Sequence, residues 1–264
     1  MEGVMLTRSR VLGVHWVLTS VVFGFISILT TPAVAYDGDL DTNFSYNGKA
    51  HIAIDHPFDG VIEAVAVQPD GKVVLAGTTE TASDSQFAVL RYDTAGELDP
   101  SFGVDGRAFY DFGIGFDGAE DLAIQSDGKI VVVGDAVSGG TRRMAIVRFN
   151  GDGSLDQATT VAFSGSSYAH GVALQPGDGK IVIAGRAYYP NSGADFAVVR
   201  LNPNLTLDTT FSSDGMADWD FGYEGYDCAY DVAVRGDGRI ILGGTATRSS
   251  KNVFGLMVYS ETGA

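Results

Sequence analysis

The chain has 264 residues, with 33 acidic against 17 basic side chains and a formal net charge of −16. That balance excludes nucleic acid and anionic membrane surfaces as partners, because like charges repel there. A lone cysteine, Cys228, excludes an intramolecular disulfide, so the fold must stand on apolar burial, for which 45% hydrophobic content suffices.

In chain order, residues 1–35 read as an export signal. Arg8 and Arg10 precede an apolar run from Val11 to Leu29, and Ala33-Val34-Ala35 is a small-x-small cleavage site. Retention of the run as an anchor is the alternative. Residues 36–264 then read as a single secreted, periplasmic or surface domain, with no membrane contact once the signal is removed.

Four times an Asp-Gly pair is followed by Lys or Arg and a run of β-formers: Asp70-Gly71-Lys72, Asp127-Gly128-Lys129, Asp178-Gly179-Lys180 and Asp237-Gly238-Arg239, at spacings of 57, 51 and 59 residues. Such periodicity marks an array of one supersecondary unit. Each Asp-Gly reads as a two-residue hairpin with both residues at positive φ. In the first unit, 62–112, the predicted strands are Ile62 to Gln68, Lys72 to Thr79, Phe87 to Tyr92 and Arg107 to Phe112. The other units are placed at about 119–164, 169–221 and 229–259. Leu-Asp turns recur at Leu40-Asp41, Leu98-Asp99, Leu155-Asp156 and Leu207-Asp208. No helical period appears after the signal, so the class is all-β. The last unit lacks a fourth strand, and Lys49 to Asp55 is a lone fourth-type strand. The expected architecture is a β-propeller of four four-stranded blades, closed by strand 49–55 on the last blade. The alternative is an incomplete propeller that closes by dimerising, so the expected state is a monomer or homodimer.

Gln125-Ser126-Asp127-Gly128-Lys129-Ile130, Phe196-Ala197-Val198-Val199-Arg200 and Leu98-Asp99-Pro100-Ser101-Phe102 carry a pattern that resembles the delta-60 repeat family. The resemblance implies exported bacterial proteins with propeller-like repeats and no established common activity. The second unit departs from it, lacking the aromatic-glycine turn after Asp156; in the fourth, Val258 stands where the others have the strand arginine.

Arg91, Arg148 and Arg200 recur eight residues before Asp99, Asp156 and Asp208. Repetition of both partners at one spacing is the mark of a scaffold ion pair rather than a ligand ring. Asn150 to Asp156 alternates oxygen ligands as a calcium loop does, but lacks the terminal glutamate and reads as a turn. The loops entering each first strand vary, and they share one rim with the second-to-third loops. Glu63, Glu120, His170 and Tyr230 fall at one level of the first strands, and Ala64, Asp121, Gly171 and Asp231 at the next. With Asp117, Tyr188, Tyr189, Tyr223, Tyr226 and Asp227 they make a candidate ligand-binding rim. Glu63, Glu120, Asp121 and Asp231 could hold a hard cation such as calcium, although no cofactor is required. Cys228, beside Asp227, is expected to have a raised pKa and to serve packing. No nucleophile elbow, zinc helix or phosphate loop is present. The leading expectation is an exported binding scaffold for an extracellular protein or glycan. The alternative is a divalent-metal-dependent, lactonase-like hydrolase at the channel mouth.

Overall fold

The computed structural model describes residues 39–50, 60–80, 84–113, 115–190, 193–222 and 225–263. Among them are sixteen strands and no helix, all within the unit from Leu40 to Ala264. Sheet 1 holds β1 (Gly60–Val67), β2 (Val73–Glu80), β3 (Ser85–Tyr92) and β4 (Arg107–Tyr110) in sequence order. Sheet 2 repeats this with β5 (Gly118–Ile124), β6 (Ile130–Ser138), β7 (Thr141–Phe149) and β8 (Leu155–Val161). Sheet 3 has β9 (Ser167–Leu174), β10 (Ile181–Tyr189), β11 (Gly193–Leu201) and β12 (Met216–Trp219), and the short β13 (Gly225–Tyr226) runs parallel to β11. Sheet 4 contains β14 (Cys228–Val234), β15 (Ile240–Arg248) and β16 (Lys251–Tyr259).

The Asp-Gly hairpins differ in detail from expectation. Gly71, Gly128, Gly179 and Gly238 have positive φ but their aspartates do not. In sheet 1 the Gly71 N–H donates to Gln68 O and the Gln68 N–H to Lys72 O. This is a three-residue loop, a type I turn closed by a left-handed glycine. The same loop closes between Gln125 and Lys129 and between Arg235 and Arg239 without a proline, and the Gln175–Lys180 loop of sheet 3 is one residue longer.

A second glycine explains another part of the repeat. The first strand of every sheet is bulged: the register slips between Ile62 and Ala64, Ala119 and Asp121, and Ala229 and Asp231, and opposite Ala184 and Gly185 in sheet 3. The extra residues are Glu63, Glu120, Tyr230 and His170, the four assigned to one level from sequence. Facing each bulge is a second-strand glycine: Gly77, Gly134, Gly185 or Gly244. A Cβ there would lie 1.8 to 2.0 Å from a carbonyl oxygen of the first strand. Only glycine admits that approach.

The sheets pack face to face in series. Phe87 and Val89 of sheet 1 join Ala145, Val147 and Phe149 of sheet 2; the next two interfaces repeat the scheme with Met144 and Ile146, then Phe196 and Val198. Full burial of such side chains contributes about 1.5–3 kcal/mol each. First strands run side by side, β1 with β5, β5 with β9 and β9 with β14, and the series ends there without comparable packing of β14 on β1. Lys49 and Ala50 are in no strand. The rest of the expected closing strand, 51–55, lies outside the described residues.

Each interface is also stapled. Arg91 Nε donates to Asp99 Oδ2 at 2.8 Å, while its Nη1 donates to Gly151 O in the next sheet. Arg148 bonds Asp156 and Pro203 O in the same way, and Arg200 bonds Asp208 (2.7 Å) and Glu261 O (2.5 Å). Lys72, Lys129 and Lys180, the lysines of the Asp-Gly-Lys hairpins, reach the same three aspartates at 2.9, 2.8 and 3.2 Å. Three recurring motifs thus meet in one ion cluster. Burial would raise the Asp208 carboxyl, but Thr210, Lys180 and Arg200 outweigh it and hold it at about 2.

Two outcomes are expected. Gly134→Ala should cost about 3 kcal/mol because backbone rather than a flexible side chain must yield, whereas Gly236→Ala, with open space around it, should stay within about 0.5 kcal/mol; urea midpoints compare them. Arg200→Met removes the buried guanidinium shared by Asp208 and Glu261 O and leaves Lys180 as the carboxylate's cation; it should cost about 3 kcal/mol, read from denaturant unfolding.

Candidate functional site

The first strands begin at the rim where the variable loops lie, and their bulges re-aim side chains there. His170, on the β9 bulge, has its Nδ1 3.9 Å from Glu120 Oε2 on the β5 bulge and its ring 5.7 Å from that of Tyr230 on the β14 bulge. Its Nε2 lies 2.8 Å from Arg186 Nη1 on β10. Arg186 also donates to Cys228 Sγ at 3.5 Å, and His170 is near enough to interact electrostatically with the same sulfur. The Arg186 guanidinium sits 4.3 Å from the ring centre of Tyr168, 5.1 Å from Tyr226 and 5.8 Å from Tyr188. Such rings attract a cation through their negative faces. Asp135 and Arg142 pair at the edge of this cluster, with the Arg142 guanidinium 5.8 Å from the ring centre of Tyr168.

Sheets 2, 3 and 4 thus supply one network of charged and aromatic side chains. Burial favours a neutral His170, but the Cys228 sulfur and Glu120 outweigh it and raise its pKa from 6.5 to about 9. Burial likewise opposes a Cys228 thiolate, and His170 with Arg186 overcomes it, so the thiol pKa falls. This corrects the expectation of a raised one. Asp227, the acidic neighbour, turns away: its carboxylate accepts the N–H groups of Phe221 and Thr247. Cys228 is fully buried, so it is out of reach as an exposed nucleophile.

Of the other candidates, Asp117 is buried and serves the loop. It accepts the Phe112 N–H, and burial raises its pKa to about 6. Asp121 accepts the N–H groups of Leu122 and Val172, the latter in the next sheet. Burial, then the nearby Asp231 charge, raises its pKa against those bonds. Asp231 caps Val232 N–H. Glu63 is exposed on β1, where the sequence of bulges begins. Tyr188 joins the cluster, while Tyr189, its neighbour on the opposite face of β10, packs against the core between sheets 2 and 3. Tyr223 lies outside the described residues.

The proposed cation set of Glu63, Glu120, Asp121 and Asp231 is therefore not gathered. Among the described residues no three His, Cys, Asp or Glu side chains are placed to hold a metal ion, because Asp121 and Asp231 are engaged by backbone amides and Glu120 faces His170. The Asn150 to Asp156 segment is a turn, with Gly153 N–H on Asn150 O. No helix among the described residues is long and apolar enough to cross a membrane.

Arg186, Tyr168, Asp135 and Arg142 were missed from sequence. The signal was available for two of them: the residue after each recurring glycine (Thr78, Asp135, Arg186, Thr245) faces the strand entering the bulge.

For the network, the ultraviolet absorbance of the Cys228 thiolate, measured against Cys228→Ser, should persist below the ordinary thiol range. His170→Asn should move its titration upward; an unmoved titration would mean that the two groups do not interact. Since His170 titrates at about 9 folded against 6.5 unfolded, its stabilising contribution is complete below pH 6.5 and is lost as pH rises through about 9.

Three segments, 68–102, 125–158 and 177–211, match the family model described as "Domain of unknown function (DUF5122) beta-propeller". No curated protein matches the sequence. Similar solved structures include an alpha-L-arabinofuranosidase from Lactobacillus brevis, at 14% identity and a TM-score of 0.44 over 76% of this chain and 69% of that one. A mannose phosphorylase from Leishmania mexicana matches at 15% and 0.44 over 79% and 66%. The periplasmic gluconolactonase of Pseudomonas aeruginosa matches at 13% and 0.36 over 75% and 72%. None of these activities transfers to this chain at such similarity. The matching segments and the four serial sheets agree on one point: this is an all-β chain of propeller-type repeats.

Proposed function

We propose that this chain is an exported binding scaffold of delta-60 type whose ligand, an extracellular glycan or protein, rests on the tyrosine-rich ends of the first strands of sheets 2 to 4. The observation that carries this reading is the half-exposed pair Tyr226 and Tyr230 beside a fixed arginine, histidine and glutamate. Tyrosines offer rigid, amphipathic contact area at low entropic cost, and the charge network beneath holds them in place. The opposite rim is different in kind, since its repeated lysines, arginines and aspartates are consumed by the staples. Export rests on residues 8–35, outside the described residues. In this reading the segment 49–55 supplies the missing strand of sheet 4, within one chain or across two.

The test is an array of extracellular glycans and exported proteins. A binder identified there should lose at least about tenfold in affinity, or about 1.4 kcal/mol, when Tyr226 and Tyr230 are both replaced by alanine, with the melting temperature unchanged. Undiminished binding by that variant would place the ligand elsewhere.

A further inference from the structure

The two ends of the sheet series are uncovered in complementary ways. On β16, Phe254 and Leu256 hold the positions of Phe196 and Val198 on β11. Phe196 and Val198 are fully buried against the next sheet, whereas Phe254 is 101% exposed and Leu256 69%. At the other end, Val65 of β1 holds the position of Leu122, Val172 and Val232. Those three are 7 to 8% exposed against the preceding sheet, and Val65 is 66% exposed. Val67, two residues on, is equally open. Farther out on that side, Ala88, Leu90 and Tyr92 are already buried, so the uncovered part is the strip along β1.

Hydrogen bonding shows the same incompleteness. Inside the chain, the Leu-Asp turn of one sheet docks on the turn of the next through a single repeated bond: Gly103 N–H to Asp152 O, and Ser212 N–H to Thr262 O. Ser45 N–H makes the equivalent bond to Ala95 O of sheet 1. The Leu40 to Gly48 turn therefore occupies the seat of a preceding sheet's turn, yet sheet 4 of the same chain does not pack beside β1. Sheet 4 in turn has three strands, and β16 has no partner on its outer side among the described residues.

We propose that a second copy of this chain fills both gaps, head to tail: sheet 4 of one copy packs Phe254 and Leu256 toward the β1 side of the other, next to that copy's Leu40–Gly48 turn. The interface continues the one that already joins sheets 1 to 4, with the same repeat position on each side. It is apolar where the internal ones are stapled, since Val258 replaces the arginine and Asp41 accepts instead from Asn43. Two such contacts, each using the tail of one copy and the head of the other, close a pair.

Light scattering on the full chain should give the mass of two copies. Phe254→Asp and Val65→Asp should each give the mass of one copy with an unchanged far-ultraviolet spectrum. Both substituted side chains are exposed in the single chain, so folding is spared. An equimolar mixture of the two variants retains one intact head-to-tail contact and should recover pairs. A parent chain with the mass of one copy, or one that polymerises without end, overturns the proposal. So does pairing that survives either substitution, or a mixture that stays at single mass.

Discussion

The ion cluster at each sheet boundary is the constraint on which the rest depends. A guanidinium held in its own sheet by an aspartate eight residues away donates to a backbone carbonyl of the next, and the hairpin lysine braces the same carboxylate. Such a group is nearly dry: Arg200 is 1% exposed. Charge-assisted bonds in that setting are strong, and removing one partner is costly. The cluster sets the spacing of sheets before any functional residue is considered, and it lies on the rim opposite the variable loops.

That opposite rim is built on a repeated defect. Every first strand carries a bulge and every second strand a glycine to admit it. The backbone deviation is constant and the bulged residue is not, so glutamate, histidine and tyrosine stand at one structural position in successive sheets. Adjacent sheets bring these side chains within reach of one another. Around them, Arg186, Cys228 and the tyrosines form a network in which His170 lowers the pKa of the Cys228 thiol and the sulfur raises that of His170, each against the effect of burial.

Much of this was legible in residues alone. The strand order, the level shared by Glu63, Glu120, His170 and Tyr230, and the Arg–Asp pairs follow from spacing, because a repeat must place equivalent residues equivalently. Turn geometry was less so: Asp-Gly fits both a two-residue and a three-residue hairpin, and the pairing of the flanking residues, Gln68 with Lys72, decides between them. Cys228 was misjudged because its sequence neighbour Asp227 points into a loop, while its real neighbours, His170 and Arg186, are 58 and 42 residues away. The carboxylate set failed for a related reason, since Asp121 is claimed by the Val172 amide across a sheet boundary.

By itself, then, the sequence determined the unit: four strands, their turns, the ion pair and the rim on which variation is allowed. Those are local or periodic facts, and a chain with a regular repeat encodes them in its spacing. Tertiary structure alone decided which side chains meet between units and which faces stay open. Contacts such as His170 with Cys228, and the exposure of Phe254 where its counterparts are buried, depend on the relative placement of whole sheets, which no spacing within one unit specifies.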